Sequence, residues 1–374
     1  MKKITVVVAV VLVALFMFAA CSTPAPAESS APAEASTEAS TEASTEASTE
    51  ASEPAAEASE CVIGLNAGTE SNQFHNDVNN SIKNVAAEKG VEVLYAVSEF
   101  DPQQIIPKVE SLLQQGANVI VDFNVNAQVG GNIVDVVKEK GGKGVIGIDV
   151  EYVSASGDKS WFMGANNQMA GELCGEAIGD YVNANKDGKL DYLVLFHNSE
   201  NGDEVKKRMA GAIDGLKNKG IEVAEDQIEW IELGGGGSET TIAGRDKMTA
   251  WLTAHPDAHS VGVVAVNDET TTGALAGAET LGREEDCVFA SHNVSQVYID
   301  AALSGELYEG YTGSVAYYPE RYGEYIVPLA MDIASGKNTD PDTKITVDHV
   351  FVSPDMIADY AQAYEDYKAA WTIK

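Results

Sequence analysis

The chain predicts an α/β protein of two lobes, each a parallel sheet covered by helices on both faces. Three observations carry this. From residue 61 onward, short apolar runs alternate with helix-period segments. The runs are continuous rather than alternating, as expected of strands buried on both sides. Two such series follow one another, each about 100 to 150 residues, the length of one domain.

In the first series, Val62-Ile63-Gly64-Leu65 reads as a strand, and Phe74, Val78, Ile82 and Val85 then recur at helical spacing. Val91-Glu92-Val93-Leu94 is a second strand. Asp101-Pro102 supplies an N-cap with proline at the first helical position, and Gln104 stands three residues after the cap. Ile105, Ile106, Val109, Leu112 and Leu113 form the buried stripe of that helix. Asn118–Val121 is a strand, residues 128–139 a helix, and Val145–Ile148 another strand. The second series has strand candidates at Asp191–Phe196, Gln227–Glu232, Val261–Val266 and Val288–Ala290. Its helices lie near Met169–Val182, Glu204–Lys219, Thr240–Thr253, Thr271–Leu281 and Gln296–Leu303.

The first sixty residues have another character. Met1-Lys2-Lys3 is followed by an uncharged, mostly apolar run from Ile4 to Ala20, the pattern of a signal peptide over residues 1–20. The run ends Phe18-Ala19-Ala20-Cys21, which resembles the lipobox of bacterial lipoproteins. That resemblance implies cleavage before Cys21 and acylation of its thiol, which anchors the body outside the cytoplasmic membrane. The alternative is an uncleaved anchor. Residues 21–60 then form a linker: after Cys21 it contains no Lys, Arg or aromatic residue, and Ala-Ser-Thr-Glu tetrads fill Ala35 to Glu50. Such a segment buries too little apolar surface to offset the entropy of ordering it. In a helix, Glu38, Glu42, Glu46 and Glu50 would repel along one face. A tether is expected, with a coil-like reach of about 35 Å.

Of the 374 residues, 58 are acidic and 24 basic, a formal charge of −34. Without leader and linker, the folded part still holds 49 acidic and 22 basic residues. A surface this negative repels phosphate backbones and anionic lipid headgroups, so no nucleic-acid partner is expected. The 44% hydrophobic content suffices for packed cores. Cys61, Cys174 and Cys287 are an odd set in the body and are expected as buried thiols rather than a disulfide scaffold.

Open α/β sheets bind ligands beyond the carboxyl ends of their strands. After the first strand come Glu70-Ser71-Asn72-Gln73-Phe74. After Val145–Ile148 come Asp149 and Glu151; after Val261–Val266, Asn267 and Asp268; after Val288–Ala290, Ser291, His292 and Asn293. Arg208 lies in the helix after Asp191–Phe196. These donors, acceptors and charges suit a ligand with several hydroxyls. Taken singly, each also reads as a helix cap or loop residue.

The same residues carry a family resemblance. Asn72-Gln73-Phe74, Val145–Asp149, Val266-Asn267-Asp268 and Tyr317-Tyr318-Pro319 resemble the signature points of type I periplasmic sugar-binding proteins, the galactose/glucose and ribose binders in particular. The resemblance covers residues 61–374. It implies two lobes joined by three crossovers near Gly164, Tyr317 and Asp348, with 61–165 plus 318–347 as N-terminal lobe and 166–317 plus 348–374 as C-terminal lobe. It implies a monomer that closes over one monosaccharide or polyol and delivers it to the permease of an ABC transporter, with no cofactor. Asn72 would bond a sugar hydroxyl and Phe74 would stack on a sugar face. Asp149 would accept from hydroxyls in the first lobe. Arg208, Asn267 and Asn293 would bond the sugar from the second, and Tyr317 would sit at the hinge. The sequence departs from the family pattern at Val150, where ribose-type relatives have arginine, at Asn293, where aspartate is usual, and at Glu239, where a second stacking aromatic is usual.

The stretch containing Asn183, Asn185, Asp187, Gly188 and Asp191 resembles the calcium loop of galactose binders, with oxygens at alternate positions and glycine at the sixth. The alternative is a plain helix-to-strand turn. Gly234–Gly237 lacks the Lys-Ser/Thr grip of a phosphate loop. The scattered histidines show no metal-ligand spacing and no Gly-x-Ser-x-Gly elbow is present, so no catalysis is expected. A lyase or isomerase using His75, His197 and His292 is one competing class, and a sensor subunit that presents ligand to a receptor kinase is another.

Overall fold

The computed structural model describes residues 61–373 except 125, 200, 201 and 235–240. The leader, Cys21, the linker and Glu239 lie outside the described residues. Twelve strands and ten α-helices are found among those that are described.

The first lobe is built from β1 (Val62–Ala67), α1 (Gln73–Glu88), β2 (Glu92–Val97), α2 (Pro102–Gln114), β3 (Val119–Asp122), α3 (Ala127–Glu139), β4 (Gly144–Ile148) and β5 (Trp161–Ala165). The second uses α4 (Asn167–Asn185), β6 (Tyr192–His197), α5 (Gly202–Asn218), β7 (Ile228–Glu232), α6 (Thr241–Ala254), β8 (Val261–Ala265), α7 (Asp268–Thr280), β9 (Cys287–Asn293), α8 (Gln296–Ser304) and β10 (Tyr311–Ala316). The chain then returns through a 3-10 turn, Pro319–Arg321, to α9 (Gly323–Ala334) and β11 (Lys344–Val347), and crosses back to β12 (Val350–Val352) and α10 (Ile357–Ala369).

Each sheet has six strands, ordered β11-β5-β4-β3-β1-β2 and β12-β10-β9-β8-β6-β7. Every pairing is parallel except β10–β12. The exception follows from where β12 begins: Asp348 and His349 lead straight from the crossing into the second sheet, so Val350 at the start of β12 stands beside Ala316 at the end of β10.

Alternate strand residues feed opposite layers. In the first sheet, Val119 and Val121 face α1 and α9, while Ile120 packs with α2 and α3. In the second, Val194 and Phe196 face α6, α7 and α8, while Leu193 and Leu195 face α4 and α5. Asp101 caps α2, its carboxylate accepting from Gln103 N with Pro102 in the first turn, as the sequence predicts. Cys61, Cys174 and Cys287 are buried thiols with no disulfide among them.

The chain passes between the sheets three times: at Asn166, at Tyr317–Tyr318 and at Asp348–His349. One histidine bonds the other two passages. His349 Nε2 accepts from Asn166 N at 2.9 Å, and its Nδ1–H donates to Ala316 O at 2.9 Å. The helix α10 begins in the second core with Ile357, but its far end bonds to the first lobe. Tyr364 Oη donates to Asp77 of α1, Tyr367 Oη donates to Glu324 of α9 at 2.7 Å, and Lys368 pairs with Asp77 at 3.1 Å. Thr372 N and Ile373 N donate to Asn84 Oδ1 at 2.8 and 2.9 Å. Sequence reading assigns all of 348–374 to the C-terminal lobe; the polar contacts tie 364–373 to the first.

Candidate functional site

The residues following the strands collect where the chain passes between the sheets. Phe74 enters from the first turn of α1. Its ring meets Phe123, Tyr322 and Tyr317 edge-on, with centroids 6.2, 5.9 and 6.5 Å away. It packs against cores of both lobes.

Asp149 follows β4 in the left-handed region at φ 59°. Its backbone N–H donates to Met163 O, and its Oδ1 accepts from Ala165 N at 2.8 Å and Tyr322 Oη at 3.2 Å. Gly164 leaves the room: a Cβ there would stand 2.3 Å from Asp149 Oδ1. Burial pushes the carboxyl of Asp149 up, while its bond to Ala165 and the charge of Arg208 pull it back. A carboxylate of the first lobe and a guanidinium of the second are therefore within electrostatic reach.

Arg208 projects from α5. Its Nε and Nη2 donate to Asn167 Oδ1 at 3.1 and 3.0 Å, and Nη1 donates to Val266 O at 2.6 Å. The guanidinium carbon sits 4.7 Å from the centroid of the Tyr317 ring, in cation–π range. Tyr317 is buried, and its Oη lies 3.2 Å from His292 Nδ1. Beyond that imidazole, Cys174 Sγ is 3.5 Å from Nε2 and 3.1 Å from Ser291 O. Burial pushes the Cys174 thiol up and His292 down, so the chain Tyr317–His292–Cys174 is neutral.

Asn72, Phe74 and Asn293 line a cavity of about 110 Å³ with Asp77, Glu269 and Tyr360. Asn293 ends β9 at φ 112°. Asn72 caps α1, its Oδ1 accepting from His75 N at 3.3 Å; Asn267 caps α7, accepting from Thr270 N at 3.0 Å. The structure thus gathers Phe74, Asp149, Arg208 and Tyr317 around the crossings. It sets Asn72 and Asn293 beside Phe74 at the cavity and gives Asn72 and Asn267 capping bonds.

Three further residues belong to this region and escape the sequence argument. Asn167 forks the Arg208 guanidinium, Tyr322 bonds Asp149, and His349 links the passages. Asn167 carries a readable signal, an amide opening a helix two residues after an apolar run and next to the N-cap Asn166. Tyr322 and His349 carry none, because their partners are remote in sequence.

Two other sets of candidate residues make contacts of their own. His75 is buried against Phe123, ring centroids 4.1 Å apart, and burial pushes it down to about 4. His197 pairs with Glu232 at 3.6 Å instead. In the calcium-like stretch, Asn183 Nδ2 donates to Lys219 O and Asn185 Nδ2 to Tyr181 O. Asp191 Oδ2 accepts from His259 N and Ser260 N, and Asp187 adopts φ 54°. Among the described residues, no three His, Cys, Asp or Glu side chains gather as a metal set.

The comparisons agree with this architecture. A family profile described as a periplasmic binding protein domain matches residues 63–338. The ribose import binding protein RbsB of Bacillus subtilis is 23% identical over 278 residues, covering 74% of this chain and 83% of its own. The D-galactose/methyl-galactoside binding periplasmic protein MglB of Haemophilus influenzae is 22% identical over 315 residues, 81% of this chain and 84% of its own. A solved periplasmic solute-binding protein from Actinobacillus succinogenes with bound D-allose superposes at a TM-score of 0.65 and 18% identity, covering 80% of this chain and all of that one.

Proposed function

The chain belongs to the periplasmic binding protein family, and from that premise we propose that it captures a monosaccharide or related polyol between its lobes and delivers it to an ABC transporter permease. It does so as a monomer held to the cell membrane by an acylated Cys21, and it performs no chemistry on the ligand. The observation that carries the reading is one aromatic cluster, Phe74 against Tyr317 and Tyr322, which holds Asp149 of the first lobe through the Tyr322 hydroxyl and Arg208 of the second over the Tyr317 ring. A sugar has a polar rim and an apolar C–H face. It is held by charged and planar polar groups together with an aromatic platform. The names of the relatives, which bind ribose and galactose, support the same class of ligand.

Ligand in contact with both lobes favours the closed arrangement by its differential affinity for it. Asp149 would accept from hydroxyls, Arg208 would donate to them, and Asn72, Asn267 and Asn293 would complete the rim. Scanning fluorimetry against a panel of sugars and polyols tests this. A ligand at 100 times its dissociation constant adds about 2.7 kcal/mol of stability, a shift of several degrees. A panel in which no sugar or polyol moves the transition would overturn the reading.

A further inference from the structure

We infer that Asn167 is a positioning residue for Arg208, orienting its guanidinium toward the ligand without neutralising it. This rests on the reading of Arg208 as a ligand group.

The helices α4 and α5 approach closely enough for backbone to touch backbone. A Cβ on Gly171 would stand 2.0 Å from Arg208 O, one on Gly175 2.1 Å from Ala212 O, and one on Gly211 2.2 Å from Gln168 O. Only glycine allows this approach, and it fixes where Arg208 leaves α5 relative to α4. Asn167 is four residues before Gly171 and so shares its helix face. From there its Oδ1 accepts from both Nε and Nη2 of Arg208, while Val266 O takes Nη1. Arginine has five N–H donors in a rigid plane. Three are used by the protein, which holds the plane over Tyr317 and leaves two for ligand oxygens.

The identity of the acceptor matters. An aspartate would give the same fork but cancel the charge. Asparagine positions the arginine and leaves its field intact, and that field is felt at Asp149, Tyr317 and His292. Asn167 is 2% exposed, and its Nδ2 finds no hydrogen-bond partner among the described residues. A buried donor left unpaired is costly, which is consistent with Asn167 being kept for its Oδ1.

The test is a double-mutant cycle on affinity, read by calorimetric titration. The probe is whichever of D-ribose, D-galactose, D-allose and myo-inositol gives the largest thermal shift with the wild type. Asn167→Ala should weaken binding about 10-fold or more, and the same change made on Arg208→Ala should weaken it no further. Asn167→Asp should fall between the wild type and Asn167→Ala. Equal losses in both backgrounds would overturn the inference, as would wild-type affinity in Asn167→Ala or an Asn167→Asp variant no better than the alanine. A second readout needs no ligand. The Arg208 Nε–H proton should be protected from exchange in the wild type and lose that protection in Asn167→Ala; equal protection in the two proteins would overturn the inference. If no probe binds the wild type, the sugar reading fails, and the exchange measurement still decides the role of Asn167.

Discussion

Replacing Glu320 by Gln should stabilise the protein above pH 7 and leave it nearly unchanged below pH 5. Glu320 lies in the Pro319–Arg321 turn, where the chain returns to the first lobe. It is 3% exposed, and its Oε2 finds no partner among the described residues. Burial, helped by the charge of Asp77 and opposed by Arg321 and Lys368, pushes the carboxyl up to about 7 from an ordinary 4.5. The folded protein therefore keeps this proton up to about pH 7, whereas the unfolded chain releases it near 4.5. The stability tied to the neutral acid is complete below pH 4.5 and is lost as pH rises through 7. The shift corresponds to about 3 kcal/mol. Glutamine keeps the shape and never charges, so Glu320→Gln should recover about 2–3 kcal/mol at pH 8, less whatever its amide loses by going unpaired. Urea unfolding at pH 5, 6, 7 and 8 measures it. Asp268, which burial also pushes up to about 7, contributes a slope of the same sign in both proteins, so the difference between the two curves isolates Glu320. Parallel curves would refute the argument, because the Glu320 carboxyl would then titrate as it does in the unfolded chain.

Four other outcomes are expected. Asp149→Ala removes the acceptor of Ala165 N–H and Tyr322 O–H, so it should lower the melting temperature and also weaken sugar binding about 10- to 150-fold; Asp149→Asn should fall between, and wild-type affinity in the alanine variant would remove Asp149 from the site. His349→Ala removes the acceptor of Asn166 N–H and a donor to Ala316 O and should cost about 1–3 kcal/mol at pH 8. Burial pushes His349 down, so the stability that its neutral ring confers is present above its ordinary pKa and lost as pH falls, and unfolding curves of His349→Ala should show a shallower decline toward acid. Cys21→Ser should release the protein from membranes with ligand affinity intact; protein that still partitions with membranes would favour an uncleaved anchor. Small-angle scattering should give a smaller radius of gyration at saturating ligand, and an unchanged radius would count against closure of the lobes.

The sheets' inner strands were readable because each is an apolar run bounded by helix signals, as in Val261–Ala265, which is buried throughout. The elements that pattern reading passes over are those in which local and tertiary preferences disagree. The α9 helix holds Pro328 in its interior, where proline removes a hydrogen bond and normally ends a helix. Burial of Ile326, Val327, Leu329, Ala330 and Ile333 against the first sheet outweighs that. The β11 strand is short, with exposed Lys344 and Thr346, and β10 contains Gly313 at φ 153°. Neither has the continuous apolar signature, and both are strands because a neighbouring strand pairs with them.

The site was legible to the extent that address is function in this fold. A residue just past the carboxyl end of a strand stands both at the cleft and at the start of the next helix. Strand-end reasoning therefore finds Asn72 and Asn267, yet cannot separate a ligand group from an N-cap, since both roles need the same place and the same side-chain oxygen. Their capping bonds each use one lone pair of Oδ1. What strand-end reasoning cannot find are bonds between distant segments. Asn167 and Arg208 are 41 residues apart, Asp149 and Tyr322 173, and Asn166 and His349 183. Each joins elements whose meeting depends on the completed topology, so no local period or spacing encodes it. The residues expected to touch ligand follow strand ends and so stand out in the sequence, while the bonds that aim them emerge only when both sheets are assembled. Asn167 should accordingly matter through Arg208 alone, whereas Asp149 should matter both for the crossing it ties and for the ligand it meets.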